Sequence, residues 1–230
     1  MKIRAHALLF DNDGTLVSSL ASVDRCWARW AEEYGITEEF GRVELHGRPA
    51  VEIVAELLPA DVVPEALARI EAMEVEDVPN DGVQLLPGTR AFLDSLPADR
   101  WAVVTSATRR LAEARLDAVG ILPKTMITAD DITRGKPDPE PYLLAARELG
   151  VDPADCVVFE DAPAGLAAGR AAGMTTVALT TTHQAHEVDA DLVVKDLSAL
   201  SALVSDGRVE ISVGECGVTS GVANAYSGSW

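Results

Sequence analysis

Short apolar runs recur along the chain at residues 7–10, 101–105, 125–128, 156–159 and 175–179, each bounded by turn formers. Runs this short and continuous predict parallel strands covered on both faces. Between them lie amphipathic segments at about 108–119, 139–149 and 163–172. Gly120, Gly150 and Gly173 follow these segments, where a helix C-terminus favours glycine. Strand and helix alternate through the last two-thirds of the chain, which predicts an α/β core built on a doubly wound parallel sheet.

The alternation is interrupted once. After the first run no buried strand is evident until about residue 85, and the intervening pattern is helical. Leu20, Val23, Trp27, Trp30 and Tyr34 recur at spacings of three and four after the candidate caps Ser18 and Ser19, and the stripe ends at Gly35. Two shorter helical patterns follow at 49–58 and 64–75. Pro79-Asn80-Asp81-Gly82 and Leu86-Pro87-Gly88 then return the chain to the core, with Thr89 as the expected cap of the next helix. The organisation expected is therefore a core of residues 1–17 and 86–213 and an inserted small helical cap of residues 18–85. The aromatic stripe reads as the cap's own core, and Glu71, Glu74, Glu76 and Asp77 read as a solvated helix face. Asp206-Gly207 and the alternating residues 208–213 predict a turn and a final edge strand. Residues 214–230, rich in Gly, Ser and Ala, predict a loosely ordered tail.

Charge narrows the partners. The chain's 230 residues carry 37 Asp plus Glu against 19 Lys plus Arg, a net charge of -18, so no positive field exists to hold nucleic acid or an anionic membrane. No apolar run approaches the roughly 18 to 20 residues of a membrane span, and no separate signal segment is evident, which predicts a cytoplasmic protein. Cys26, Cys156 and Cys216 form no CxxC pair and indicate neither a zinc site nor a disulfide framework. Cys26 and Cys156 read as small hydrophobes.

In an open α/β sheet ligands bind at the carboxyl ends of the strands, so the residues that follow each apolar run carry the chemistry. They are Asp11-Asn12-Asp13-Gly14-Thr15 after the first run, Ser106 after the second and Glu160-Asp161 after the fourth. Gly135-Lys136-Pro137-Asp138 precedes a helix. Taken singly these are weak signals. A DxD pair is common in turns, Ser106 suits a helix cap as well as a ligand, and Glu160-Asp161 suits a helix N-terminus. An EF-hand reading fails, because Leu16 stands where glycine is needed and Ser22 where the bidentate glutamate belongs. Lys136 is the least ordinary, a lysine in a turn of a chain with only Lys2, Lys124 and Lys195 besides.

Jointly these groups point to phosphate chemistry. Converging carboxylates repel unless a cation neutralises them, and an oxygen shell suits Mg²⁺. The lysine and hydroxyl suit an anionic substrate group. Asp11 at a strand tip is placed to attack phosphorus, and Asp13 to protonate the leaving alkoxide and then take a proton from water. Asp11 and Asp161, with the backbone carbonyl of Asp13, would hold the metal. Ser106 and Lys136 would hold the phosphoryl oxygens.

Phe10-Asp11-Asn12-Asp13-Gly14-Thr15-Leu16, Val104-Thr105-Ser106, Gly135-Lys136-Pro137 and Phe159-Glu160-Asp161-Ala162-Pro163-Ala164-Gly165 resemble, in order, the four motifs of the haloacid dehalogenase superfamily. The resemblance implies a Rossmann-like core, a helical cap that closes over the substrate, and Mg²⁺-dependent phosphoryl transfer through an aspartyl phosphate. It makes Asp11 the nucleophile, Asp13 the acid/base, Ser106 and Lys136 phosphate ligands together with Asn12 and Ala107, and Asp11, Asp13, Glu160 and Asp161 the metal site. Asn12 replaces the commoner apolar residue and is expected to contribute mainly its backbone N–H. Dehalogenases lack the second aspartate, present here as Asp13. β-Phosphoglucomutases carry a histidine about ten residues after it, where this chain has Val23. Leu45-His46-Gly47-Arg48 is similar to a cap segment of sugar and glycerol phosphatases. His46 and Arg48 are thereby candidate substrate contacts, with a turn residue and a surface charge as the alternative. The expectation is a phosphatase of small sugar or polyol phosphates, acting as a monomer on a small phosphorylated metabolite. A β-phosphoglucomutase-like sugar phosphomutase is the second reading.

Overall fold

The computed structural model describes residues 2–43 and 49–214. His46, Arg48, Cys216 and the tail beyond Gly214 lie outside the described residues.

The first apolar run forms β2 (Ala7–Phe10), and the segment before it forms a separate short strand, β1 (Lys2–Ala5). β2 is the centre of a parallel sheet. On one side lie β5 (Trp101–Val104) and β6 (Met126–Ile127); on the other lie β7 (Cys156–Glu160), β8 (Thr175–Leu179) and β9 (Leu192–Val194). The order is β6-β5-β2-β7-β8-β9. The chain thus winds outward from β2 first one way and then the other, and this reversal opens a crevice above the carboxyl ends of β5, β2 and β7.

Alternation within β2 splits the interior into two layers. Leu8 and Phe10 join Phe92, Trp101 and Phe159 on one face, while Ala7 and Leu9 join Val104, Tyr142 and Val158 on the other. The helices α5 (Thr89–Asp94), α6 (Arg109–Ala118), α7 (Glu140–Leu149) and α8 (Pro163–Ala171) cover these faces. Gly88, at φ 84°, takes the N-cap of α5 instead of Thr89. The Thr89 hydroxyl donates instead to Leu16 O at 2.9 Å, because the buried end of the helix abuts the loop after β2.

Residues 208–213 do form a strand, but not an edge strand. β11 (Arg208–Val213) pairs antiparallel with both β1 and β10 (Leu200–Ser205), in the order β1-β11-β10. Its inward residues Val209 and Ile211 are buried, and flanking strands on both sides complete that burial.

The insertion folds as α1 (Leu20–Tyr34), the single turn α2 (Thr37–Phe40), α3 (Ala50–Leu57) and α4 (Val63–Asp77). Trp27, Trp30, Ile53, Ile70 and Met73 form its own hydrophobic cluster, and the Trp30 indole donates to Ala66 O at 3.0 Å. The chain enters the cap through β3 (Val17–Ser18) and leaves it through β4 (Gln84–Leu85), which pair antiparallel with Val17 opposite Leu85. Among the described residues, no helix is long and apolar enough to cross a membrane.

Candidate active site

Asp11 is fixed by what lies beneath it. Phe10 stacks on Phe159 with ring centroids 4.6 Å apart and meets Phe92 and Trp101 edge-on, so the tips of β2 and β7 are locked side by side. The backbone N–H of Asp11 then bonds Phe159 O at 3.0 Å. Two glycines make room for the carboxylates. Gly14 is left-handed at φ 89°, and a β-carbon there would overlap the Asp161 carboxylate; one at Gly165 would overlap that of Glu160.

Asp11, Glu160 and Asp161 are all buried, with one carboxylate oxygen from each lying within 4.8 Å of the others. Lys136 is inserted among them. Its Nζ lies 2.6 Å from Asp11 Oδ1, 2.6 Å from Glu160 Oε1 and 2.8 Å from Val104 O, at the end of a turn whose Lys136–Pro137 peptide is cis. Burial alone would lower the Lys136 ammonium, but the Asp11 and Glu160 carboxylates outweigh it and hold it above its ordinary value. Burial raises Asp11 well above the usual carboxylate range against the pull of Lys136, and it raises Asp161 with help from the Glu160 charge. Three buried carboxylates thus face one ammonium. An all-oxygen set with this excess of negative charge fits a hard divalent cation.

Glu160 is saturated by the protein itself. Its Oε1 accepts from Lys136 and from the buried Tyr142 hydroxyl at 2.7 Å, and its Oε2 accepts from the backbone N–H groups of Asp161 and Ala162. Asp161 keeps softer partners, the hydroxyls of Thr15 at 3.3 Å and of Thr182.

The Asp13 carboxylate takes different company. Ser19 donates to its Oδ1 at 2.6 Å, and Arg115 lies 3.0 Å from its Oδ2, with the Asn12 amide at 3.2 Å. Ser19 stands at the N-cap of α1 but makes no side-chain cap bond, because its hydroxyl serves Asp13 instead. Arg115 also lies 3.3 Å from Glu74 of the cap. The acidic cluster is therefore not uniformly solvated. Glu74 is 7% exposed and ion-paired, while Asp77 bonds Ser22 and Arg25 at 2.6 Å. Asn12 Oδ1 is buried without a hydrogen-bond partner among the described groups.

Ser106 and Ala107 line the cavity between core and cap. Helix capping falls to Thr108, whose hydroxyl accepts from Leu111 N, so Ser106 is not spent on the helix. The Ala107 amide donates to Thr105 Oγ1 at 3.1 Å. The cavity, of about 380 Å³, also admits Thr182 and His183 from the loop after β8. Its cap wall is mostly apolar, with Leu20, Val23, Trp27, Ile53, Leu67 and Ile70, and also carries Glu71 and Glu74. The aromatic stripe thus serves the cap's core and, at its first turns, faces the crevice. Among the described residues the two thiols, Cys26 and Cys156, are buried, and burial pushes Cys156 up to about 12.

Arg115, Glu74, Ser19 and Thr182 are not evident from the motifs. The available signal was in the helical stripes. Arg115 shares a face with Leu111, Ala112 and Leu116, and Glu74 shares one with Ala66, Ile70 and Met73, so each is a charge placed in an apolar stripe.

The sequence profile of haloacid dehalogenase-like hydrolases matches residues 5–173. The chain belongs to this family. It is 40% identical over 199 residues to hexitol phosphatase A of Escherichia coli (strain K12), covering 81% of this chain and 90% of that one. It is 34% identical over 212 residues to glycerol-1-phosphate phosphohydrolase 2 of Saccharomyces cerevisiae, covering 85% and 84% of the two chains. Among solved structures, β-phosphoglucomutase from Clostridium difficile superposes with a TM-score of 0.71 at 23% identity, over 84% of this chain and 92% of that one, a likeness of fold. Asp11, Ser106, Lys136, Glu160 and Asp161, which come from four separate segments of the chain, all line the one cavity.

Proposed function

We propose that the protein is a Mg²⁺-dependent phosphatase of small sugar or polyol phosphates that works through an aspartyl phosphate on Asp11. The observation that carries this reading is the buried group of Asp11, Lys136, Glu160 and Asp161, with a second aspartate two residues beyond the first. The phosphatase names of the similar proteins above support it.

The Asp11 carboxylate attacks phosphorus, the P–O bond to the sugar or polyol breaks, and Asp13 gives its proton to the departing alkoxide. Asp13 then takes a proton from water, whose oxygen attacks phosphorus and displaces the Asp11 carboxylate, releasing phosphate and restoring the protein. Lys136 holds Asp11 in place and faces the transferring group with positive charge. Ser106 and the amides of Asn12 and Ala107 receive the phosphoryl oxygens, Ala107 exchanging its bond to Thr105. Asp11 and Asp161, with the Asp13 carbonyl, would hold Mg²⁺, which when bound offsets the repulsion between carboxylate and phosphate dianion. Glu160, saturated as described, serves chiefly to fix Lys136. His46 and Arg48, outside the described residues, stay candidate contacts to the substrate's phosphate or hydroxyls.

Hydrolysis is favoured over isomerisation because Val23 stands on the crevice where the mutases carry their histidine. Asp11→Asn is expected to reduce phosphate release by about 10⁴-fold or more, the scale of losing a covalent nucleophile. Activity within tenfold of the parent, or the 6-phosphate rather than free phosphate as the product from a hexose 1-phosphate, would sink the proposal.

A further inference from the structure

Arg115 has no part in the roles assigned so far, yet it is among the most enclosed charges in the molecule. Its side chain is 6% exposed, and its two terminal nitrogens address different domains, one Asp13 of the core at 3.0 Å and the other Glu74 of the cap at 3.3 Å. Asp13 is in turn hydrogen-bonded by Ser19, where the chain enters the cap. A planar guanidinium can satisfy two carboxylates at fixed angles, which an ammonium on a flexible stem does less well. A fastening between core and cap needs only the Glu74 arm. The second arm goes to the carboxylate that must meet the leaving group.

We propose that Arg115 is a positioning residue for Asp13, and that Glu74 makes its grip depend on where the cap sits, so that the general acid is in place only when the cap is seated on the core. The inference rests on the phosphatase reading and adds a link between cap placement and proton donation. Misplacing a reacting group by about an ångström is enough to cost on the order of 10²-fold in rate.

The test uses two substrates whose leaving groups differ in their need for a proton. The ratio kcat/KM covers steps up to departure of the leaving group, so it isolates the donation step. An alkyl ester such as glycerol 1-phosphate requires the acid; p-nitrophenyl phosphate releases a stable phenolate and does not. Arg115→Lys is expected to lower kcat/KM for the alkyl ester about 30-fold, within the range a placed acid supplies, and for the aryl ester less than about threefold. Glu74→Gln, which keeps the side-chain volume, is expected to lower the alkyl-to-aryl ratio about fivefold through the same route. In an Asp13→Asn background Arg115→Lys is expected to add no further loss on the alkyl ester, since the group it positions is gone.

Equal losses on both substrates, or an undiminished Arg115→Lys effect in the Asp13→Asn background, would overturn the proposal and leave Arg115 a structural ion pair. Circular dichroism melts establish that each variant is folded, and Glu74→Gln carries the test alone if Arg115→Lys does not fold. A parent protein that releases phosphate from neither substrate overturns the phosphatase reading itself, and this inference with it.

Discussion

The floor and the roof of the crevice are built on opposite plans. The floor, at the tips of β5, β2 and β7, is charged and tightly hydrogen-bonded, with each carboxylate held by a lysine, a tyrosine, threonines or backbone amides. The roof is mostly hydrocarbon from α1, α3 and α4, interrupted among its lining by Glu71 and Glu74. On the proposed function, the charge that acts on phosphorus sits on strand ends with fixed partners, where reorganisation costs least. The apolar surface that would meet the alcohol sits on a separately packed unit.

The contrast can be broken at the floor first. Lys136→Met would leave Asp11 and Glu160 facing each other in a buried space, and about 3 to 5 kcal/mol of stability is expected to go, the usual result of removing one partner of a buried pair. Chemical denaturation would measure it, and a loss below about 1 kcal/mol would mean the floor tolerates its charges unpaired. Gly14→Ala combines a left-handed φ with overlap on Asp161, and a cost of about 2 to 3 kcal/mol is expected. A calorimetric melt like that of the parent would show that the close approach is not maintained.

A divalent ion sharpens the same contrast. Asp161 is pushed up to about 7 by burial and the Glu160 charge, and Asp11 is raised as well. In the folded, metal-free protein Asp161 holds a proton that the unfolded chain, with aspartates near 3.9, gives up, so its contribution to stability falls as pH rises from roughly 4 to 7. Mg²⁺ competes with that proton. Its stabilisation at 100 times the dissociation constant is expected to reach about 2.7 kcal/mol at pH 8 and to be much smaller at pH 5 at the same concentration. Equal shifts in melting temperature at the two pH values would count against a metal on these carboxylates. At the roof, Leu67→Ala is expected to do least: about a threefold rise in KM with kcat within twofold, as when binding shared by ground and transition states is removed. A larger fall in kcat than rise in KM would show that the roof takes part in the chemistry.

The floor was legible in the chain because Asp11, Ser106 and Glu160-Asp161 each follow an apolar run, and the sheet order brings the ends of those runs together. Lys136 follows no such run and was read from its place in a turn before a helix in a lysine-poor chain, and the order of the motifs did the rest. The Arg115–Glu74 pair was not legible, because the partners are 41 positions apart on helices of different domains, and a charge in an amphipathic pattern ordinarily faces water. Ser19 read as a helix cap because capping is a local rule, whereas its bond to Asp13 depends on the turn at Gly14. β1 escaped notice because Lys2 and Arg4 break any apolar run, and β9 because it has only three residues.

The paired strands β3 and β4 carry a consequence for how such a molecule diversifies. Because Val17 and Leu85 face one another across a single ladder, the chain departs from the catalytic half and rejoins it at one spot. Everything between them is a cassette whose length and shape leave the sheet's geometry untouched. A new roof that keeps the Ser19 and Glu74 contacts to Asp13 and Arg115 can replace an old one without disturbing the strand ends below, which is a route by which one site comes to serve many substrates.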